Sequence, residues 1–123
     1  MVGRGAFGDV MKAMNTTTGS EIAHTVVETK SMLSRMKGLL GRDLLPNGEG
    51  LLIKPCMGIH TFGMSFPIDV VFLNKENRVV AVNQNMSPNR MSRIYFSAAS
   101  VLELPSGHIE LSETAPGDLI AFS

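Results

Sequence analysis

A single cysteine, Cys56, excludes an internal disulfide. A lone cysteine with no export signal fits a reducing compartment. Met1 to Val10 lacks the continuous apolar run of a secretory signal. No apolar stretch reaches the ~18 residues that a membrane-spanning helix needs. A cytoplasmic location with no membrane attachment is the expectation. Neither sign of charge is in excess, because 11 basic residues face 11 acidic ones. That balance removes the general electrostatic drive toward nucleic acid or anionic lipid. A local basic patch is compatible with it, although the whole-chain field does not predict one. Also absent are a second cysteine, a metalloprotease-type histidine pair and a nucleophile elbow. There is no internal repeat and no low-complexity tract.

What is present is a globular composition, 44% hydrophobic and 18% charged, large enough to bury a core without disulfides or a structural metal. The nine methionines suit an adaptable core, since methionine fills irregular gaps. One domain is expected over residues 13–123, preceded by a glycine-rich flexible arm or cloning remnant over residues 1–12. Gly3-Arg4-Gly5-Ala6-Phe7-Gly8-Asp9-Val10 spells a protein-kinase glycine loop. The context fails: no strand precedes it, and no catalytic Lys, H-R-D or D-F-G element follows.

β-branched residues at Ile22 and Thr25-Val26-Val27 predict a strand over Ser20 to Glu28, joined to the preceding segment by a hairpin across Asn15 to Gly19. Apolar residues at Met32, Leu33, Met36, Leu39 and Leu40 predict the one main helix, over about residues 30–40. Short strands follow at Leu51 to Lys54, Ile59 to Phe62, Ile68 to Leu73, Arg78 to Asn83, Val101 to Leu104 and Leu119 to Phe122. A turn at residues 74–77 suggests a second hairpin. Ser92 to Ala99 reads as either strand or a short helical piece. The fold class is mainly β (α+β): a compact barrel-like or sandwich-like sheet of short strands with one main helix.

The chemistry-bearing residues concentrate between Pro55 and Asp69. Cys56 and His60, four apart, are the candidate catalytic residues, because a neighbouring imidazole lowers a thiol pKa and makes a nucleophile. The same pair with one of His24, His108, Asp69 or Glu49 could supply zinc ligands. Adding Met64 gives ligand types of a blue-copper site, without its context. A buried, unreactive thiol beside a structural histidine is the simplest reading, and no metal or other cofactor is called for. Asp69 is the strongest anomaly. It precedes Val70-Val71-Phe72-Leu73, where an unpaired charge is expensive, so it needs partners among Arg42, Arg35, His60 or backbone N–H groups. Arg42 and Glu49 bracket a loop and could grip a small polar ligand.

An ordered set of segments spans nearly the whole chain. It begins with Arg35-Met36-Lys37-Gly38-Leu39-Leu40-Gly41-Arg42 and Gly48-Glu49-Gly50-Leu51-Leu52-Ile53. Pro55-Cys56, Ile59-His60-Thr61-Phe62, Met64 and Phe66-Pro67-Ile68-Asp69-Val70-Val71-Phe72-Leu73 come next. Val101-Leu102-Glu103-Leu104-Pro105-Ser106-Gly107 and Gly117-Asp118 complete it. In these the chain resembles the bacterial and archaeal family known as domain of unknown function 192. The resemblance implies a small β-rich domain with few helices and implies no activity. Many relatives carry Trp-Met-Lys-Asn-Thr where this chain has His60-Thr61-Phe62-Gly63-Met64, whereas the Pro67-to-Asp69 step is common to both forms. A job shared by both forms cannot rest on Cys56 and His60, and Asp69 then carries it. A distinct Cys/His subgroup would have its own chemistry.

Two functions follow as expectations. The first is a non-catalytic module that binds a small molecule or a protein through a pocket near Asp69, His60 and Arg42, with Glu49 at its mouth. The second is a thiol- or metal-dependent enzyme centred on Cys56 and His60, with His108 as a further ligand. Neither nucleic acid nor membrane is an expected partner.

Overall fold

The structure is a computed structural model that describes residues 4–5, 8–29 and 45–123. Eight strands form one sheet: β1 (Arg4–Gly5), β2 (Gly8–Asn15), β3 (Ser20–Thr29), β4 (Glu49–Ile53), β5 (Ile68–Leu73), β6 (Val79–Met86), β7 (Ser100–Pro105) and β8 (Ile120–Phe122). Among the described residues one short helix, α1, covers His108–Ser112. The helix expected over residues 30–40, together with Arg35 and Arg42, lies outside the described residues. β2 takes in residues 8–12, which sequence alone assigns to a flexible arm. Val10 and Met11 pair there with Val27 and Val26 of β3, so backbone pairing extends the hairpin past the expected boundary.

The strands run in the order β1-β2-β3-β4-β7-β5-β6, and β8 pairs with β2. All pairs are antiparallel except β3 with β4, which are parallel. A parallel pair needs a crossover connection between its strands. The sheet curls so that the start of β6 approaches the β8 segment. Arg78 bridges to Leu119, the Val79 N–H donates to the Asp118 carbonyl at 2.8 Å, and the Ile120 N–H donates to the Asn77 carbonyl at 2.9 Å. β8 continues from there onto β2. The expected barrel-like sheet is therefore present, as a curled half-barrel.

β5 and β7 are buried at every position, which means that both of their faces are covered. Strand alternation divides the core in two. Ala13, Val26, Leu52, Val71, Leu102 and Ile120 fill the inside of the curl together with Ile109 from α1. Ile68, Val70 and Phe72 of β5 and Val101 of β7 form the outer face, covered by Ile59, Met64 and Phe66 of the β4–β5 loop. The expected strand at Ile59 to Phe62 is reduced to one bridge, between His60 and Met91.

Each two-sided strand carries one fully buried carboxylate, Asp69 on β5 and Glu103 on β7. Glu103 stands directly opposite Val70 and Leu51 and shares their outer face. Asp69 faces the inside, where it accepts three backbone bonds. The Asn85 N–H reaches Oδ1 at 2.8 Å, and the N–H groups of Gly107 and Ile109 reach Oδ2 at 3.0 and 2.9 Å. Gly107, the N-cap of α1, sits at φ 98° and offers no side-chain cap. The Asp69 carboxylate caps the helix from a distant strand, satisfying N–H groups left without intrahelical partners.

Asp69→Asn keeps the shape but turns an NH2 group toward an N–H donor. Urea unfolding is expected to show a loss of about 2–4 kcal/mol. Asp69→Ala is expected to lose at least as much.

Candidate interaction surface

The candidate residues divide between the two faces of the sheet. Inside, Asp69 is drawn together with His108 and His24. The Gly48 N–H donates to His108 Nε2 at 2.9 Å. Gly48 has φ 81°, and its α-carbon lies so close to the His24 ring that a side chain at this position would overlap it. His24 Nδ1 lies 2.8 Å from the Thr25 hydroxyl. Burial pushes the His108 pKa below its ordinary value. The Asp69 carboxylate opposes that shift and His24 adds to it. Because Nε2 accepts a bond, the neutral ring carries its proton on Nδ1.

Outside lie Cys56 and His60. The Cys56 thiol donates to the Gly58 carbonyl at 3.0 Å, an arrangement that favours thiol over thiolate. Cys56 is half-buried and packs against the outer core. His60 Nδ1 accepts the Phe62 N–H at 3.3 Å, and its ring stacks on Phe62 with centroids 5.0 Å apart. None of the three bonds that Asp69 accepts comes from His60, because alternation along β5 aims the carboxylate to the opposite side from the loop that holds His60. Glu49 opens β4, its N–H bonded to the Pro46 carbonyl at 3.1 Å. By alternation its side chain shares the outer face with Leu51. Among the described residues no three His, Cys, Asp or Glu side chains are grouped to hold a metal.

The larger feature outside is the surface of two loops. Residues 56–62 run antiparallel to residues 89–95. The Tyr95 N–H donates to the Met57 carbonyl, Ser92 to Ile59, and Thr61 to Arg90, each at 2.9 Å. Thr61 is fully buried. Its hydroxyl accepts the Arg90 N–H at 2.9 Å and donates to the Ser87 carbonyl at 2.7 Å. A Cβ at Gly58 would stand 2.8 Å from Ile94 Cδ1 and 3.2 Å from the Arg93 carbonyl oxygen, so the loops pack closely here. Tyr95 packs inward on Phe72, ring centroids 4.5 Å apart. Outward point Met57, Phe62, Met91, Ile94 and Phe96, with Met91 72% and Phe96 85% exposed. They are five of the six exposed large apolar side chains among the described residues, the sixth being Leu111. Lys54, Arg90 and Arg93, on the same two loops, are exposed as well.

A family model for domain of unknown function 192 (DUF192), described as an uncharacterized ACR, matches residues 13–122. The chain belongs to this family. A crystal structure from Sinorhizobium meliloti 1021, described as "a putative transcription regulator", has the same fold, with a TM-score of 0.75 at 21% identity over 98% of both chains. A protein of unknown function from Novosphingobium aromaticivorans DSM 12444 is equally similar, at TM-score 0.75 and 21% identity, covering 98% of this chain and 91% of that one. A search of curated proteins gives no match. Within this DUF192 fold, no helix among the described residues is long and apolar enough to cross a membrane.

Sequence reasoning missed two things at this site. Glu103 carries the signal that marks Asp69, a charge inside an apolar run. The exposed loop face has no local signal, because it joins segments some thirty residues apart.

Two measurements probe this geometry. His108 has a lowered pKa in the fold, whereas the unfolded chain takes up its proton near 6.5. Stability is therefore full above that pH and falls as pH drops through it toward the folded value. His108→Gln should flatten this dependence, and the His108 ring should titrate below 6.5 by NMR. Thr61→Val removes the hydroxyl that clamps Arg90 to Ser87, and its expected cost is about 1–3 kcal/mol in urea unfolding.

Proposed function

We propose that this domain is a non-catalytic interaction module that engages a partner through the face formed by Met57, Phe62, Met91, Ile94 and Phe96. One observation carries the proposal: nearly all the large apolar side chains exposed on the described residues gather on one loop pair. Scattered exposed apolar residues are ordinary, whereas a contiguous patch marks an interaction surface. The backbone beneath the patch is held by a ladder of bonds and by the Thr61 hydroxyl. A prearranged surface loses less entropy on binding.

The small-ligand version, with a pocket at Asp69, His60 and Arg42, is less well supported. Asp69 is fully buried and spends both oxygens on backbone donors. The enzyme version needs a thiolate at Cys56, and the bond from its thiol to the Gly58 carbonyl works against one.

A photo-crosslinking amino acid in place of Met91 or Phe96 tests the reading in cells. The same discrete adduct is expected from both positions and none from position 75 in the β5–β6 turn. Ile94→Ser should abolish it while changing stability by no more than about 0.5 kcal/mol, as for an exposed site. Absence of any adduct, or a thiol- or metal-dependent turnover lost in Cys56→Ser, would contradict it.

A further inference from the structure

We infer that the partner of this face is a protein segment that is amphipathic and acidic. The inference rests on the interaction function proposed above and goes on to name the partner's chemistry. The chain as a whole is neutral, with 11 basic and 11 acidic residues, but its charge is unevenly spread. Residues 54–67 and 86–99, the two loops that build the face, contain Lys54, Arg90 and Arg93 and no Asp or Glu. All three cations are exposed and lie on the same two loops as the exposed apolar side chains. An apolar centre within a charged rim is the usual build of a protein-binding surface, and complementary charge steers the partner and fixes its register. Met57 and Met91 give the centre unbranched, polarizable side chains that adapt to another protein's apolar groups.

Other occupants fit less well. Three cations release few counterions from a nucleic acid, and five large apolar side chains have no use on a phosphate backbone. A lipid interface favours Tyr and Trp at its surface, yet the single Tyr95 is turned inward onto Phe72 and the chain has no Trp. Among the described residues a second copy offers one exposed acidic and apolar cluster, Glu110 and Glu113 around Leu111. A single leucine is too little to cover the face.

The test uses the full chain and a fluorescent synthetic peptide with Leu and Phe on one face and Glu on the other, read by anisotropy. Its Kd is expected to rise at least about tenfold between about 50 and about 500 mM salt. A comparable loss is expected for Arg90→Glu with Arg93→Glu, and for Phe96→Ser, with melting temperatures unchanged. Counterpart peptides with Gln or Lys in place of Glu should bind at least about tenfold more weakly. Equal binding of those peptides overturns the proposal. So does binding only to phosphatidylglycerol vesicles or to duplex DNA, or self-association that buries the face. An adduct from position 91 alongside any of these results removes the acidic partner and leaves the interaction function standing. Loss of that adduct removes both.

Discussion

The domain depends on one buried carboxylate. Asp69 sits at the centre of the sheet and accepts backbone N–H groups from three separate places: the end of β6, the turn after β7 and the first turn of α1. Two of those donors, Asn85 and Gly107, have positive φ values, a conformation that must be held by its surroundings. The Ser106 hydroxyl, bonded to the Asn85 side chain at 2.7 Å, ties the two segments to each other as well. Seating α1 puts Ile109 into the inner core and brings His108 over the Gly48 N–H. In this way the carboxylate sets the position of the β3–β4 crossover's last turn, far from it in sequence. A charge with three donors tolerates burial where an unpaired one would not.

The second constraint is that β5 and β7 have no solvent-facing side. The inside of the curl is filled by the strands and by Ile109 of α1, so the outer face needs a separate cover. The loops at residues 54–67 and 86–99 provide it, using Ile59, Met64, Phe66 and Ala98 as the buried layer. Once those side chains turn in, the alternate ones turn out, and several of them are large and apolar. The surface proposed to bind a partner is therefore the reverse side of a structural layer. Cys56 and His60 belong to that layer. There the Cys56 thiol donates to the Gly58 carbonyl and His60 Nδ1 accepts the Phe62 N–H.

Much of this was legible beforehand for physical reasons. Alternation and β-branching located most of the strands, and the turn residues at 15–19 and 74–77 located the hairpins. Asp69 stood out because a charge within an apolar run must be partnered. Which partners it has was not legible, since residues 85, 107 and 109 approach it only through the sheet order. α1 is a single turn and too short to show a period. The stretches 56–62 and 89–95 pair irregularly, so neither carries a clean strand pattern. Exposure of the loop face depends on which side chains the outer core consumes, a property of packing rather than of any local pattern.

Amide hydrogen exchange of the native protein tests the Asp69 framework most directly. The N–H groups of Asn85, Gly107 and Ile109 come from three segments but share one acceptor. All three should exchange only through global unfolding, at one common free energy. Exchange of any of them by local opening, well below that energy, would contradict the claim that this carboxylate holds the fold together.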